Sequence, residues 1–442
     1  MGLIARLKHP KKIFFGWRTV LATGIMTAWG YGIYLYSFGL YFEPLEKEFG
    51  WTRAQISGGG ALRRLEGGLE GPFGGYFTDK YGPRAVNLVG FLIAGLGLCL
   101  MYYVNSLWSF LLIWGLIVSS GFNFGMWGPL GTAIANWFVK KRGLATGVAR
   151  MFIGILGSFI PTFMLTLMML FGWRMASLIA GFITWGVGLP LTWFFVKPRR
   201  PEYYGMLPDG AAIETHTNTE ALIKAGQIYT AKTMEETEFT VRQAMKTMAF
   251  WISVFAGAVR SWAGPLFTMH LIPYLSDMGV DPIAAAAALG FMVLASTPGR
   301  LIGGVISDRI SIYHLKYILI ATSILEWTGL LALMFASNLW MVYTYSLLRG
   351  LGLGIRTGAD TQISGRFFGR KAYSTITGIR SMIGLPVGVF APIYVGWLYD
   401  TTGSYTNAFE QAAIFLVIAI ILWYFFNPPK RVDTVSDIKK LL

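Results

Sequence analysis

Apolar stretches long enough to cross a bilayer recur from one end of this chain to the other. They lie at residues 15–42, 55–77, 86–105, 107–138, 143–170 and 174–196, and again at 248–276, 283–307, 315–336, 338–368, 374–399 and 407–426. A hydrocarbon core takes about 20 residues of helix to span. Lipid offers no partner to an unpaired backbone N–H or C=O, so only helices or closed barrels cross it, and these stretches are too long and too continuously apolar for barrel strands. The pattern predicts an all-α membrane protein of about twelve transmembrane helices in two pseudo-symmetric six-helix bundles. Composition agrees: 54% of the residues are hydrophobic and 13% charged, whereas a soluble domain carries about 25% charged residues.

A polar stretch divides the two sets. The expected organisation is an N-terminal bundle over 1–196, a linker over 197–247, and a C-terminal bundle with a short tail over 248–442. The linker reads as a tether, loose apart from a short surface helix near Glu235 to Lys246. The formal net charge of +15 fits either a nucleic-acid partner or basic cytoplasmic loops, and its distribution favours the loops. Lys8, Lys11 and Lys12 precede the first span, Lys80 and Arg84 follow the second, and Lys140, Lys141 and Arg142 follow the fourth. Arg199 and Arg200 open the linker, Arg309 follows span eight, Arg370 and Lys371 follow span ten, and Lys430, Arg431, Lys439 and Lys440 lie in the tail. Both termini and the linker are therefore expected in the cytoplasm, with the chain in the inner membrane and no nucleic-acid partner. The apolar stretch after the basic N-terminus is too long for a signal core and lacks a small-residue cleavage site, so it reads as the first span. Cys99 is the single cysteine, which excludes an internal disulfide. No HExxH, GxSxG, phosphate loop or Cys/His cluster occurs, so no enzyme activity, cofactor or metal is expected, and the chain is taken as a monomer.

The two sets are related by an internal repeat. Gly74-Gly75-Tyr76-Phe77-Thr78-Asp79-Lys80 recurs as Gly303-Gly304-Val305-Ile306-Ser307-Asp308-Arg309, a shift of 229 residues from Asp79 to Asp308. Leu107-Trp108 recurs as Leu339-Trp340, and Trp137-Phe138 before a basic cluster recurs as Phe367-Phe368 before Arg370-Lys371. Parallel halves of this kind suit alternating access around a site between them. The repeated Gly/Asp/basic loops (Gly75, Asp79 and Arg84; Gly304, Asp308 and Arg309) read as gates: glycine permits close helix packing, and the aspartate caps a helix or pairs across the loop.

The stretch Gly74 to Arg84 resembles the signature loop of the major facilitator superfamily, and nearly the whole chain follows that pattern. Phe15-Gly16-Trp17, Phe42-Glu43-Pro44-Leu45 through Arg53, and Arg200-Pro201-Glu202-Tyr203-Tyr204-Gly205 through Gly210 resemble its monocarboxylate transporter and oxalate:formate antiporter branch. The resemblance implies a carrier of small organic anions. It also implies that Arg300, before Gly303-Gly304, stands where the family keeps its substrate-binding arginine. The acidic residue the family often has one turn earlier is Ser296 here, and Arg380 stands where oxalate:formate antiporters have a lysine.

Charges within the spans support an anionic cargo. Arg63, Arg64, Arg150, Arg260, Arg300, Arg349, Arg356 and Arg380 face only Glu66, Glu70, Glu326 and Asp360. An ionised group at the bilayer centre costs at least about 2.5–3.5 kcal/mol, and a carboxylate relieves a guanidinium through a bidentate fork. Arg300 reads as an anion ligand or as a partner of Asp308; Arg380 reads as a second ligand or as a partner of Asp360. Arg150 lies 230 residues before Arg380, within the repeat offset, and reads as its pseudo-symmetric mate or as a residue snorkelling to the membrane edge. Arg63, Glu66 and Glu70 share a helix face, and their spacing predicts an ion-pair ladder, with a proton relay through Glu66 or Glu70 as the alternative. Arg356 and Asp360 are one turn apart and read as a pair, while Glu326 has no partner in sequence. Tyr31, Tyr34, Asn123 and Trp127 are candidates for lining the path.

These readings predict a secondary carrier of mono- or dicarboxylates such as lactate, oxalate or formate. Arg300 and Arg380 would hold the cargo, and energy would come from anion exchange or proton symport, with arginine dominance leaning toward exchange. A drug exporter would want an acidic cavity, and a transport-dead sensor would want a signalling domain; the chain supplies neither.

Overall fold

Helix starts and stops follow the local chemistry closely. Thr52 accepts the Gln55 N–H at 3.3 Å while the Gln55 side chain accepts from the Thr52 N–H at 3.0 Å, so a reciprocal cap launches the second span. Gly82, with φ +80°, ends that helix, and Pro83 occupies the first turn of the next. Gly172, with φ +77°, breaks an otherwise continuous run between spans five and six; a residue with a Cβ is strained in that conformation. Asp281 accepts from the N–H groups of Ile283 and Ala284 at 3.0 and 3.1 Å, ahead of Pro282.

The computed structural model describes residues 14–139, 141–211, 240–368 and 373–429. Among the described residues it contains twelve long helical segments. The N-terminal six are α1 (Phe15–Gly30), α2 (Arg53–Tyr81), α3 (Pro83–Leu100), α4 (Leu107–Trp137), α5 (Arg142–Ile155, continued over 160–171) and α6 (173–195). The C-terminal six are α7 (Met248–Thr268), α8 (Pro282–Arg309), α9 (Leu315–Met334), α10 (Leu339–Phe368), α11 (Tyr373–Thr402) and α12 (Thr406–Tyr424). Seven continuous stretches among the described residues combine spanning length with high hydropathy and few charges. One of them, Leu144–Phe195, holds two crossings joined at Gly172, and α2 and α10, which carry buried charges, are not among the seven.

Three departures from regular α-helix bear on the site. α1 runs on as a π-helical segment, Tyr31–Tyr36, and α4 contains two, Ile113–Val118 and Asn123–Trp127. Nothing in the hydropathy pattern announces them.

The bundles meet along two seams, α2 against α11 and α5 against α8. Small residues bring the backbones together. A Cβ at Gly396 would lie 2.7 Å from the backbone of Ala54, and one at Gly290 would collide with the Ser158 carbonyl. Within the C-terminal bundle, Gly299, Gly303, Gly350 and Gly354 pack α8 directly on α10.

The linker departs from expectation at its start. Pro201, Glu202 and Pro208 are buried, and Asp209 accepts the backbone N–H groups of Val139 and Lys141 at 3.1 and 2.9 Å. Residues 201–211 therefore dock on the α4–α5 turn, because a carboxylate there satisfies donors that the end of α4 leaves open. Of the expected surface helix near 235–246, Val241–Met245 is helical, and residues 235–239 lie outside the described set.

The repeated Gly-Gly pair of α8 makes a testable contrast. A Cβ at Gly303 would run into the Ile355 carbonyl, whereas one at Gly304 meets open space. Gly303→Ala is expected to destabilise the purified protein by about 1–3 kcal/mol, and Gly304→Ala to leave its melting temperature unchanged or slightly raised. Thermal unfolding in detergent, measured on both variants side by side, checks the contrast.

Candidate functional site

A cavity of about 420 Å³ is lined, among the described residues, by α1 with its π-helical continuation, α2 and α4, and Arg64 on its wall reaches toward α7 and α11 of the C-terminal bundle. Tyr31, Tyr34, Arg63, Arg64, Glu70 and Asn123 supply its polar wall. Along α2 it runs from Arg63 toward Gly74, that is, toward the end of the molecule that carries the chain termini. Both π-helical segments that contribute wall residues, Tyr31–Tyr36 and Asn123–Trp127, sit at this surface, which is where single π turns concentrate in proteins.

Arg63 is 5% exposed. Its Nη1 donates to the Tyr34 carbonyl at 3.1 Å, and its guanidinium lies 4.9 Å above the Tyr34 ring. Glu66 takes different partners: the Ser120 hydroxyl and the Asn123 amide each donate to it at 2.7 Å. Glu70, one turn further along α2, lines the cavity, and its buried Oε2 meets no hydrogen-bond partner among the described residues. The ion-pair ladder expected from the spacing of Arg63, Glu66 and Glu70 is therefore not formed. Helical spacing puts the three on one face, but α4 offers Glu66 two neutral donors and α1 offers Arg63 a carbonyl.

Arg64, beside Arg63, points across the seam. Its Nη1 lies 3.0 Å from where a Cβ on Gly388 of α11 would stand, and its Nη2 lies 3.3 Å from the corresponding point on Gly264 of α7. Among the described residues no hydrogen bond or ion pair engages it.

The expected ligand arginines sit elsewhere. Arg300, half-buried on α8, donates to the Arg150 carbonyl of α5 at 2.6 Å and lies within electrostatic range of the Tyr36 side chain at the end of α1. No carboxylate among the described residues pairs with it. Arg300 and Arg150 both act electrostatically on Tyr31, which lines the cavity. Arg150 itself is exposed, and Arg380 is half-buried on α11. Among the described residues none of these three lines the cavity, because the α5–α8 seam turns Arg300 toward Arg150; Tyr34 and Asn123 do line it. The side chains of Trp127, Asp360, Gly75, Asp79 and Asp308 lie outside the described set.

Two charge clusters were not legible in sequence. Glu326, fully buried on α9, is held by Arg260 of α7 (2.6 and 2.9 Å) and Arg349 of α10 (2.8 Å), with Arg349 stacked 4.4 Å over Phe267. Arg356 is buried above the Trp423 ring and within electrostatic range of Glu326. The second cluster closes the end of the molecule away from the termini. Arg53 forks onto Asp277 of the other bundle (2.6 and 2.8 Å), takes Glu46 at 2.9 Å and the Tyr405 hydroxyl at 2.9 Å, and lies 3.8 Å over the Tyr399 ring. Asp400 accepts the N–H groups of Arg53 and Ala54 at 3.0 and 2.9 Å, so a C-terminal-bundle carboxylate caps an N-terminal-bundle helix. His270, fully buried, contacts Ser57 and Tyr405 beneath.

At the opposite end, Arg84 and Arg309 are the charged gate residues whose side chains are described. Arg84 donates to the carbonyls of Val196 (2.8 Å) and Trp193, fastening its loop to α6 of its own bundle rather than across the seam. Arg309 is exposed, and the space beside Gly304 is open.

Two helical bundles, a charged cavity lined by α1, α2 and α4, and an end where Arg53 bridges to Asp277 of the other bundle define a multi-pass membrane carrier. The Major Facilitator Superfamily model matches residues 20–384, and the chain belongs to that family. Monocarboxylate transporter 13 of Rattus norvegicus is 24% identical over 93% of this chain and 90% of the relative. The probable sulfoacetate transporter SauU of Cupriavidus necator is 24% identical over 82% and 83%. In fold, the chain is similar to the crystal structure of a bacterial homolog of the human lysosomal transporter Spinster, in an inward-facing and occupied conformation, at a TM-score of 0.64 and 14% identity over 92% of this chain and 96% of that one. The chain is thus a transporter and not an enzyme.

Arg53 is buried but Asp277 is partly exposed, so removing one partner costs less than the ~3–5 kcal/mol of a fully buried pair; about 1.4 kcal/mol already moves an equilibrium tenfold. Arg53→Gln or Asp277→Asn is expected to open the sealed end. The measurement places a single cysteine at Leu35 in a Cys99→Ser background and times its modification by an impermeant thiol reagent added from that side. The rate should rise at least about tenfold; an unchanged rate would show that the cluster does not hold the bundles together.

Proposed function

We propose that this protein is a secondary carrier of small organic anions, mono- or dicarboxylates and their sulfonate analogues, working by rocking of the two bundles about the seam. The reading rests on one observation above others: Arg300 crosses the seam to Tyr36 and the Arg150 carbonyl, with no carboxylate among its described partners. A guanidinium with only neutral partners keeps most of its charge available to a bidentate anion. Arg150 and Arg380 add positive field, and Tyr31, Tyr34 and Asn123 give the aromatic and amide wall that suits a small acid. The names of the relatives, monocarboxylate and sulfoacetate transporters, support the same cargo class.

The basic loops assign the termini to the cytoplasm and the sealed end to the outside. The coupling ion in this reading is a proton. Glu70 lies one helical turn from Glu66 on the cavity wall, and two neighbouring carboxylates repel unless one carries a proton. Glu66 already accepts from Ser120 and Asn123, so Glu70, on the cavity wall, is the carrier in this reading. This favours symport over the exchange expected from arginine dominance alone.

Uptake of radiolabelled acids into proteoliposomes tests both parts. Arg300→Gln should lower carboxylate uptake by about tenfold or more, the worth of a lost charged hydrogen bond, with Arg300→Lys intermediate; full activity in both variants would remove Arg300 from the site. An inward proton gradient should stimulate wild-type uptake, and Glu70→Gln should abolish that stimulation. Uptake driven by internal anion and indifferent to the gradient would establish exchange instead.

A further inference from the structure

We propose that Arg63 and Arg64 of α2 form a second anion subsite in the seam cavity, and that the preferred cargo is a dianion: a short acid whose second ionised group, carboxylate or sulfonate, is held there. The inference rests on the carrier reading above and specifies its substrate class. Three observations carry it.

The two guanidiniums are consecutive on one helix and both line the cavity. Consecutive positions on a helix diverge by about 100°, and the structure shows the outcome: Arg63 is tied down by the Tyr34 carbonyl and ring, while Arg64 extends over the seam. One is a fixed charge and the other is free to close on a ligand.

Neither has a carboxylate partner among the described residues, although two carboxylates lie on the same helix. Glu66 is occupied by Ser120 and Asn123, and Glu70 forms no ion pair with either arginine among the described residues. Arg64 feels the like charge of Arg63. Adjacent cations without an internal anion repel one another, and an anion placed between them relieves both.

The opposite wall is built to leave Arg64 room. Gly388 on α11 and Gly264 on α7 present bare backbone where any side chain would crowd the guanidinium. Two helices of the other bundle thus supply a cradle for this one group, and a ligand bound to Arg64 lies against both bundles. Arg300 and Arg150 act on the cavity from the side of Tyr31, so positive charge stands at two places along it. A monoanion satisfies one; a dianion satisfies both.

The test compares sulfoacetate with acetate, matched in length and differing by one ionised group, in proteoliposomes at a fixed pH. Wild type should show a KM for sulfoacetate about tenfold or more below that for acetate, and Arg64→Gln should erase most of that ratio. Arg64→Lys, which keeps the charge without the fork, should retain part of it and serves if the glutamine variant does not fold. A wild-type ratio near one, or an Arg64→Gln effect equal on both acids, overturns the dianion subsite while leaving an anion carrier in place. Transport of neither acid, nor of lactate or oxalate, overturns the carrier reading and this inference together.

Discussion

A guanidinium withdrawn from water needs an anion, and the structure meets that need unevenly. Two unit charges about 4 Å apart attract by about 4 kcal/mol at an effective dielectric of 20, so leaving the attraction unused is costly. Inside the C-terminal bundle it is used: Glu326 takes both Arg260 and Arg349. At the sealed end it is used again, with Arg53 between Glu46 and Asp277. Along the cavity and the α5–α8 seam it is not. Arg63 and Arg300 accept carbonyl and tyrosine partners, and Arg64 has neither. Charge is neutralised inside the C-terminal bundle and at the end where Arg53 joins the two bundles, and left open along the cavity and the α5–α8 seam.

The same helix joins both regimes. α2 begins at Arg53, pinned to Asp277 and capped by Asp400 of α11, and carries Arg63 and Arg64 further along the same rod. It lies along α11, whose Gly388 makes room for Arg64 and whose Gly396 packs on Ala54. A tilt of α2 against α11 that separates Arg53 from Asp277 must also move Arg64 over its glycines. In the carrier reading, opening the sealed end and changing the grip on the cargo are one motion, which is what alternating access requires of a rigid-body pair.

Much of the architecture was legible because membrane burial writes itself into composition. The all-helical fold of about twelve spans follows from hydropathy and repetition. The excess of arginine over acid was equally visible; which arginines are left unmatched was not. Helical spacing joined Arg63 to Glu66, yet α4 supplied better partners in Ser120 and Asn123. Glu326 had no neighbour in sequence because its partners lie on α7 and α10, 66 and 23 residues away. Arg53, Asp277 and Asp400 meet across gaps of 224 and 347 residues at loop ends whose composition is ordinary. Spacing on one helix predicts which residues share a face and says nothing about what the neighbouring helix offers them.

The π-helical turns are the least legible feature and explain the placement of Arg63. In a regular α-helix each carbonyl in the interior is taken by the N–H four residues on, and a side chain that competes for it weakens the helix. Where the turn widens to five residues, a carbonyl loses that partner. Tyr34 lies within the π segment Tyr31–Tyr36, and its carbonyl accepts from Arg63. The widened turn thus provides a neutral acceptor inside the membrane that orients a guanidinium without discharging it, which a carboxylate at the same place could not do. Tyr31 and Tyr34 reach the cavity from the same turn, and Asn123, from the π segment of α4, meets them on the wall. Irregular backbone at membrane depth is tolerated where it is buried in protein or lines a cavity, and here two of the three π turns contribute polar groups to the cavity wall beside Arg63 and Arg64.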